Sequence, residues 1–132
     1  MSKNADLLAL IGRILMASLT LVSGTGKILA PAATVAYMGS LGIPVPSISI
    51  WIAVAIEIGG SLLLIFGWQT RAVAILMSVF AMTTAWYYHR NISDPNMLFH
   101  FMKNVAVMGG YFQLMAFGAG RYSLDARRVE GA

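Results

Sequence analysis

Apolar residues are gathered in four long blocks, and most of the charges and all of the prolines lie outside these blocks. Each block is close to the ~20 residues with which a helix crosses ~30 Å of hydrocarbon. No block alternates apolar and polar residues with the period of two expected of a membrane β-barrel strand. The pattern predicts an all-α, four-transmembrane-helix bundle in a single domain over residues 1–132. Its approximate spans are 7–28, 48–68, 72–88 and 98–117.

The stretch over residues 31–47 is longer than a tight turn requires. Pro31 suits the first position of a helix, because the N–H that proline lacks has no partner there in any case. The residues that follow favour a short interfacial helix between spans 1 and 2. Gly42 and Pro44 are expected to end that helix and to lead into the second span.

Composition places most of the chain in lipid. It is 58% hydrophobic and 11% charged, with a mean hydropathy of +0.75, whereas soluble domains carry about 25% charged residues. The net charge is +4, but the basic residues lie mostly at the ends of the apolar blocks, so nucleic acid is not an expected partner. The chain has no cysteine, which excludes disulfides and thiolate metal sites within it.

Lys and Arg residues in the connecting segments predict the orientation of the bundle. An N-in chain with four spans leaves Lys27 and Arg90 outside. The basic residues on the inner side are Lys3, Arg71, Arg121, Arg127 and Arg128. This bias predicts that both termini lie in the cytoplasm. Arg13 and Lys27 also argue against a cleaved signal peptide, whose apolar core is normally uncharged.

Each block has one helical face of small residues, and the ionisable groups lie on or beside these faces, as expected where membrane helices approach closely. Glu57 is near the midpoint of its block, whereas Arg13 and Lys103 lie roughly five residues from theirs, or ~7–8 Å along a helix. We expect Arg13 from below and Lys103 from above to bracket Glu57, with Asn104 as a further donor. Lys27, at the outer rim, is expected to extend its ammonium to the interface.

Glu57 is the one carboxylate inside the four blocks. An unpaired charge near the bilayer centre costs ~2.5–3.5 kcal/mol on insertion scales, so pairing with a basic group is expected. The excess of basic groups suits an anionic or electron-rich ligand. Glu57 is accordingly the candidate catalytic group, as a proton acceptor or as a ligand-binding group. The alternative is a permanent ion pair that only holds the helices together.

Two histidines, His89 and His100, flank the loop "HRNISDPNMLFH". No fixed helical spacing joins them, so interfacial packing is expected and a metal site is not. With no haem, flavin or iron–sulfur motif, two histidines and no cysteine, we expect no redox cofactor to be bound by this chain alone. A quinone is compatible with the sequence, because Lys103, Asn104 or Arg13 can donate hydrogen bonds to its carbonyls.

A resemblance to a known family rests on six stretches that follow one another along nearly the whole chain. They are "GRILMA" at 12–17, "SGTGKI" at 23–28, "YMGSLGIP" at 37–44, "EIGGSLLLIFGWQTRAVAILMS" at 57–78, "FMKNVAVMGG" at 101–110 and "GAGRYSLD" at 118–125. As an ordered set they resemble the DoxX family of small membrane proteins, in particular members labelled as quinol oxidase subunits. The resemblance implies a four-helix protein of the bacterial inner membrane that is linked to quinone and electron transfer. It also implies recurring polar positions at Arg13, Lys27, Glu57, His89, Lys103 and Asn104.

Three functions are compatible with these observations. The first is a membrane subunit of a quinone-linked oxidoreductase, with a polar intramembrane cavity around Glu57 that binds quinone or a similar small ligand. The second is a non-catalytic structural or assembly subunit. A small transporter is less favoured, since the four spans show no internal repeat. The expected partners are the lipid bilayer and either further copies of the chain or other membrane and redox subunits.

Overall fold

The computed structural model describes residues 3–130, and its regular elements are helices, in agreement with the predicted all-α class. One of the helices, Pro46–Phe66, contains a π-helical segment at Ala55–Gly59, between two α-helical parts, Pro46–Val54 and Gly60–Phe66. The helices are α1 (Lys3–Leu29), α2 (Pro31–Ser40), α3 (Pro46–Phe66), α4 (Thr70–His89), α5 (Pro95–Phe117) and α6 (Leu124–Glu130).

Four of these helices are long, and α1, α3 and α4 have both the length and the hydropathy needed to cross a membrane. The predicted spans 7–28, 48–68 and 72–88 correspond to these three helices. With 23 residues, α5 has sufficient length. Its hydropathy is lowered by three polar residues in its first half, His100, Lys103 and Asn104. The fourth span therefore stays a prediction.

The predicted short helix between the first two spans corresponds to α2. It begins at Pro31 and ends at Ser40, and Gly42 follows with a φ of +75° that favours glycine. Met38 is buried, whereas Tyr37 on the neighbouring position is half exposed. The structure therefore packs one side of α2 on the bundle, and its place at the membrane interface stays a prediction.

Small residues allow the long helices to approach closely. A Cβ atom on Gly60 would lie 2.5 Å from the Sδ atom of Met77, and one on Gly110 would lie 2.8 Å from that of Met16. Larger residues at these two positions would therefore require the Met77 and Met16 side chains to move. Glycine at such contacts is typical of helix packing in membranes, where close van der Waals contact replaces the hydrophobic effect.

The chain termini that the structure describes lie at one end of the bundle. The Asp6 carboxylate near the start of α1 accepts a hydrogen bond of 3.0 Å from the N–H of Arg121, which follows α5. We call this the terminal end, and the opposite end, with α2 and the connection between α4 and α5, the loop end. Residues 118–125 fold back over the terminal end, and we call this segment the C-terminal clasp.

The C-terminal clasp is held by two buried or half-buried side chains. The Asp125 carboxylate accepts hydrogen bonds of 2.8 Å from the N–H groups of Gln69 and Thr70, which begin α4. Burial raises the pKa of Asp125, but these backbone hydrogen bonds, together with the Thr70 side chain and the positive charge of Arg128, outweigh that effect and leave its pKa below the ordinary value. On the other side, the Arg13 guanidinium donates to the carbonyl oxygen of Tyr122.

Candidate functional site

Glu57 lies in the middle of the π-helical segment, with its side chain only 3% exposed. The Nζ atom of Lys27 lies 2.9 Å from each carboxylate oxygen. The Ser23 hydroxyl donates a hydrogen bond of 2.7 Å to Oε1, and Lys27 donates to Ser23 at 2.8 Å. Because Ser23 and Lys27 are one turn apart on α1, they hold the carboxylate from one helix face.

The π-helical segment itself positions this acid. Single π turns within α-helices occur frequently at functional sites, where they redirect the side chains around them. Here the Ser61 hydroxyl donates to the carbonyl oxygen of Glu57, one turn back. Ser61 also lies 2.7 Å from the Thr20 hydroxyl of α1. The irregular turn is thus tied to α1 immediately beside the ion pair.

The predicted bracket of Glu57 by Arg13 and Lys103 is wrong. Arg13 lies at the terminal end, where its Nη1 atom donates to the carbonyl oxygens of Leu64 at 2.8 Å and Ile65 at 2.9 Å. The residue of α1 that faces Glu57 is Gly24, where a Cβ atom would lie 3.1 Å from that of Glu57. Gly24 is about 16 Å along the helix from Arg13, too far for the guanidinium to reach.

This error comes from helix register. Aligning the midpoints of two apolar blocks assumes that both blocks are centred at one depth, but contacts between α1 and α3 fix a different alignment. The pairs Thr20–Ser61 and Gly24–Glu57 show that α1 is displaced by about five residues, or roughly 8 Å, from the midpoint alignment. Glu57 consequently lies level with the part of α1 that is nearer the loop end.

Lys27 was expected to extend toward the interface, and this expectation is also wrong. Its side chain is 15% exposed and turns inward to the carboxylate of Glu57. A basic side chain near a helix end turns outward when it has no partner in the bundle. Here the Glu57 carboxylate and the Ser23 hydroxyl are both within reach, so the Lys27 ammonium gives up part of its hydration and forms an ion pair.

Lys103, Asn104 and His89 lie on the other side of the site. The Nζ atom of Lys103 is 3.5 Å from Nδ1 of His100, and the described residues place no carboxylate within 4 Å of it. The Asn104 amide donates to the carbonyl oxygen of His100 at 3.2 Å. The rings of His89 and His100 stack with centroids 5.0 Å apart and planes inclined by 22°. Folding thus brings together two histidines that the sequence pattern does not connect.

A cavity of about 500 Å³ lies between these two groups of polar residues. Predicted site residues that line it are Lys27, Glu57, His89, Lys103 and Asn104. The rest of the wall is mainly apolar and comes from α1, α3, α4, α5 and the α2–α3 connection. Within residues 3–130, no cluster of three or more His, Cys, Asp or Glu residues could hold a metal ion.

Four buried polar atoms of cavity-lining residues have no hydrogen-bond partner in the described part of the chain. They are Oε2 of Glu57, the hydroxyls of Tyr88 and Tyr111, and Nδ1 of His89. Oε2 is close to the Lys27 ammonium but outside hydrogen-bonding geometry, since the ammonium donates to Oε1 instead. Buried polar groups without partners are costly. A ligand with both donors and acceptors would therefore be complementary to this end of the cavity.

Sequence reasoning missed Ser23 and Tyr88 as members of this site. The signal for Ser23 was its i,i+4 spacing to Lys27, which puts both residues on one face of α1. Tyr88 adjoins His89 in sequence and packs edge-on against Tyr37 of α2, with ring centroids 5.7 Å apart. That contact depends on how α2 folds against α4, and it cannot be inferred from the sequence around Tyr88.

The DoxX family model matches residues 8–90, which is more than half of the chain. The chain belongs to the DoxX family. Inner membrane protein YqjF of Escherichia coli strain K12 is 37% identical over 125 residues, which cover 95% of both chains. Inner membrane protein YphA of the same strain is 35% identical over 126 residues, which cover 91% of this chain and 89% of the relative. No solved structure matches the chain.

Family membership confirms the resemblance inferred from the six motif stretches. Together with the three apolar helices, it identifies the chain as an integral inner-membrane protein of the DoxX family. The matched range takes in α1 to α4 and therefore includes Lys27, Glu57 and His89. Lys103 and Asn104, on α5, lie beyond it.

Proposed function

We propose that this DoxX protein is a quinone-binding subunit of a membrane redox complex. The observation that carries the proposal is the cavity beside Glu57, which combines apolar walls with buried polar atoms at one end. Its volume of about 500 Å³ falls in the range of about 300–1,000 Å³ typical of small-molecule sites. A quinone has the matching character, since its ring is flat and apolar and its two carbonyl oxygens accept hydrogen bonds.

The polar residues suit the chemistry of such a ring. Lys103 has an ammonium without a carboxylate partner in the described chain, and the Asn104 amide retains one hydrogen beyond its bond to His100. Both can donate to a quinone carbonyl. Two-electron reduction of a quinone to a quinol also takes up two protons, and the Glu57 carboxylate, which lines the cavity, is the group that we propose to relay both protons from water to the ring oxygens. The electrons would come from a cofactor on another chain.

A structural role of the ion pair is the second candidate function. It is favoured by the short contacts that join Lys27 and Ser23 of α1 to Glu57 of α3, because these contacts saturate Oε1 without any ligand. On this alternative the protein is a scaffold or assembly subunit. Quinone binding requires Lys103 as a hydrogen-bond donor, whereas the structural role does not, because Lys103 takes no part in the ion pair.

The proposed topology has four spans with both termini in the cytoplasm. The contact between Asp6 and Arg121 supports an even number of crossings, because it joins the start of α1 to the segment after α5. In this proposed topology, α5 is the fourth span. The excess of Lys and Arg at the terminal end supports its cytoplasmic location.

Titration of the purified protein with a ubiquinone and a menaquinone, in lipid nanodiscs, tests the proposed function. We expect saturable binding of one of them, and a loss of tenfold or more in Lys103→Met, since a charge-assisted hydrogen bond contributes about 1.5–3 kcal/mol. Arg90→Met is the matched control, because Arg90 is an exposed residue of the loop end that does not line the cavity. Absence of saturable binding of both quinones would overturn the proposal.

A further inference from the structure

The cavity has an exposed flank between α3 and α4. Ile52 of α3 and Leu76, Val79 and Thr83 of α4 all line the cavity, yet each is exposed on the outer surface of the bundle. Val79 is 61% exposed. We call the gap bordered by these four residues the lateral slit.

Helix packing explains why the slit exists. The first part of α3, Pro46–Val54, packs on α1 and α2, whereas Ala55–Gly59 and Gly60–Phe66 are the parts of α3 that pack on α4. The two helices therefore diverge from the π-helical segment toward the loop end. Small side chains such as Ala53 and Ala81, both buried in the cavity wall, leave the space behind the gap open.

The slit faces hydrocarbon rather than water. Val79 is halfway along the 20-residue helix α4, which puts it about 15 Å from either end. In a helix that crosses a bilayer, this is the centre of the apolar core. By contrast, the polar groups of the cavity extend from Glu57, midway along α3, to the loop end, where His89 is the last residue of α4 and Lys27 is near the end of α1. The cavity is thus polar toward the loop end and apolar where it opens.

From this arrangement we propose that the ligand enters the cavity sideways from the bilayer through the lateral slit, and that it is an amphiphile whose hydrocarbon tail stays in the slit. Its polar ring lies beside Glu57 and Lys103, which line the cavity from α3 and α5. The inference rests on the proposed function and narrows the ligand class to quinones that carry a long prenyl or alkyl chain. A tail-less ring would lack the contacts with Ile52, Leu76 and Val79.

Ring and tail contributions can be separated with two probes, a benzoquinone ring with a ten-carbon chain and the same ring without it. We expect the tailed probe to bind the wild-type protein at least tenfold more tightly, after correction for its partition into lipid. Val79→Trp, which narrows the slit, is expected to slow association of the tailed probe tenfold or more. Ile75→Trp is the matched control, because Ile75 is one turn away, 54% exposed and outside the cavity wall.

A second measurement tests the slit without any quinone. In a background with Trp51, Trp68 and Trp86 changed to Phe, Tyr111→Trp places one indole at a cavity residue that is 1% exposed. We expect lipids with brominated acyl chains to quench its fluorescence. Leu114→Trp is the control, since Leu114 is buried on the same helix but does not line the cavity.

Val79→Phe combined with Thr83→Phe is designed to close the lateral slit. In the Tyr111→Trp protein, these two substitutions should keep the brominated chains out and so restore the fluorescence. If Tyr111→Trp does not fold, Val107→Trp is a second cavity position on α5. Quenching at the cavity position without binding of either quinone would preserve the slit and overturn the proposed function. Entry through the lateral slit would be overturned by equal quenching at the cavity and control positions. It would also be overturned if the tailed and the tail-less ring bound with equal affinity.

Discussion

The Nζ atom of Lys27 lies 2.9 Å from both carboxylate oxygens of Glu57, and the pair joins α1 to α3 beside the cavity. Only Oε1 receives hydrogen bonds, from Lys27 and from Ser23, whereas Oε2 has none from the described residues. Oε1 thus takes part in contacts that hold the two helices together, whereas Oε2 can accept a hydrogen bond from a ligand. The effects of a substitution at Glu57 on stability and on ligand binding should therefore be measured separately.

Breaking the ion pair should destabilise the protein. Glu57→Gln and Lys27→Met each leave one buried partner without its counter-charge, and we expect each to lower the free energy of unfolding by roughly 2–4 kcal/mol, near the cost known for buried pairs. The double variant should recover at least 1 kcal/mol relative to the sum of the single effects, measured by denaturant unfolding in detergent. Additive effects would show that the two residues do not interact. Lys103→Met, as the control, should leave unfolding unchanged.

Arg13 should be essential for the terminal end of the bundle. Its guanidinium is fully buried and donates to three carbonyl oxygens, those of Leu64, Ile65 and Tyr122. Arg13→Met leaves these oxygens without a donor, and we expect a loss of about 3 kcal/mol or more. Arg13→Lys should restore part of it, because an ammonium keeps the charge but not the fork of donors. Thermal unfolding measures both variants, and a neutral Arg13→Met would contradict the assigned contacts.

Gly67 should resist substitution more strongly than another glycine with a similar backbone. Its φ is +66°, and a Cβ atom there would overlap Arg13 and Ser123. Gly42 has a φ of +75° but open space around it. We expect Gly42→Ala to cost only the backbone term of about 1–2 kcal/mol and Gly67→Ala to cost clearly more, by thermal unfolding. Equal losses would mean that Arg13 and Ser123 move aside freely.

The C-terminal clasp should loosen in acid. The pKa of Asp125 is below its ordinary value in the folded protein, so its contribution is fully present above the unfolded pKa of about 3.9 and is lost as the pH falls through the lower folded value. We expect cleavage within the clasp by pepsin, a protease that is active in acid, to increase as the pH falls below about 4. Asp125→Asn should lack this pH dependence. An identical acid profile in that variant would assign the effect to another carboxylate.

The helices could be predicted from the sequence, whereas their relative register could not. Runs of apolar residues fix which segments enter lipid, and helical spacing places Lys27, Glu57, Lys103 and Asn104 on inward faces. Which of these groups meet depends on how far α1 is displaced along α3, and a displacement of about five residues moves Arg13 away from Glu57 and brings Ser23 and Lys27 to it. Specific contacts such as Thr20–Ser61 decide that displacement. His89 and His100 meet only because the loop between α4 and α5 returns the chain at that point.

The hydrogen bond from Arg13 to the carbonyl oxygen of Tyr122 spans 109 residues of sequence. During synthesis, α1 emerges first, and Tyr122 follows only after roughly 5–20 s at ordinary elongation rates. Until then the guanidinium lies within a membrane segment without one of its final acceptors. The bundle therefore reaches its full stability only when the last residues have been made, and a chain truncated before Tyr122 should be recognised as incomplete by membrane proteases.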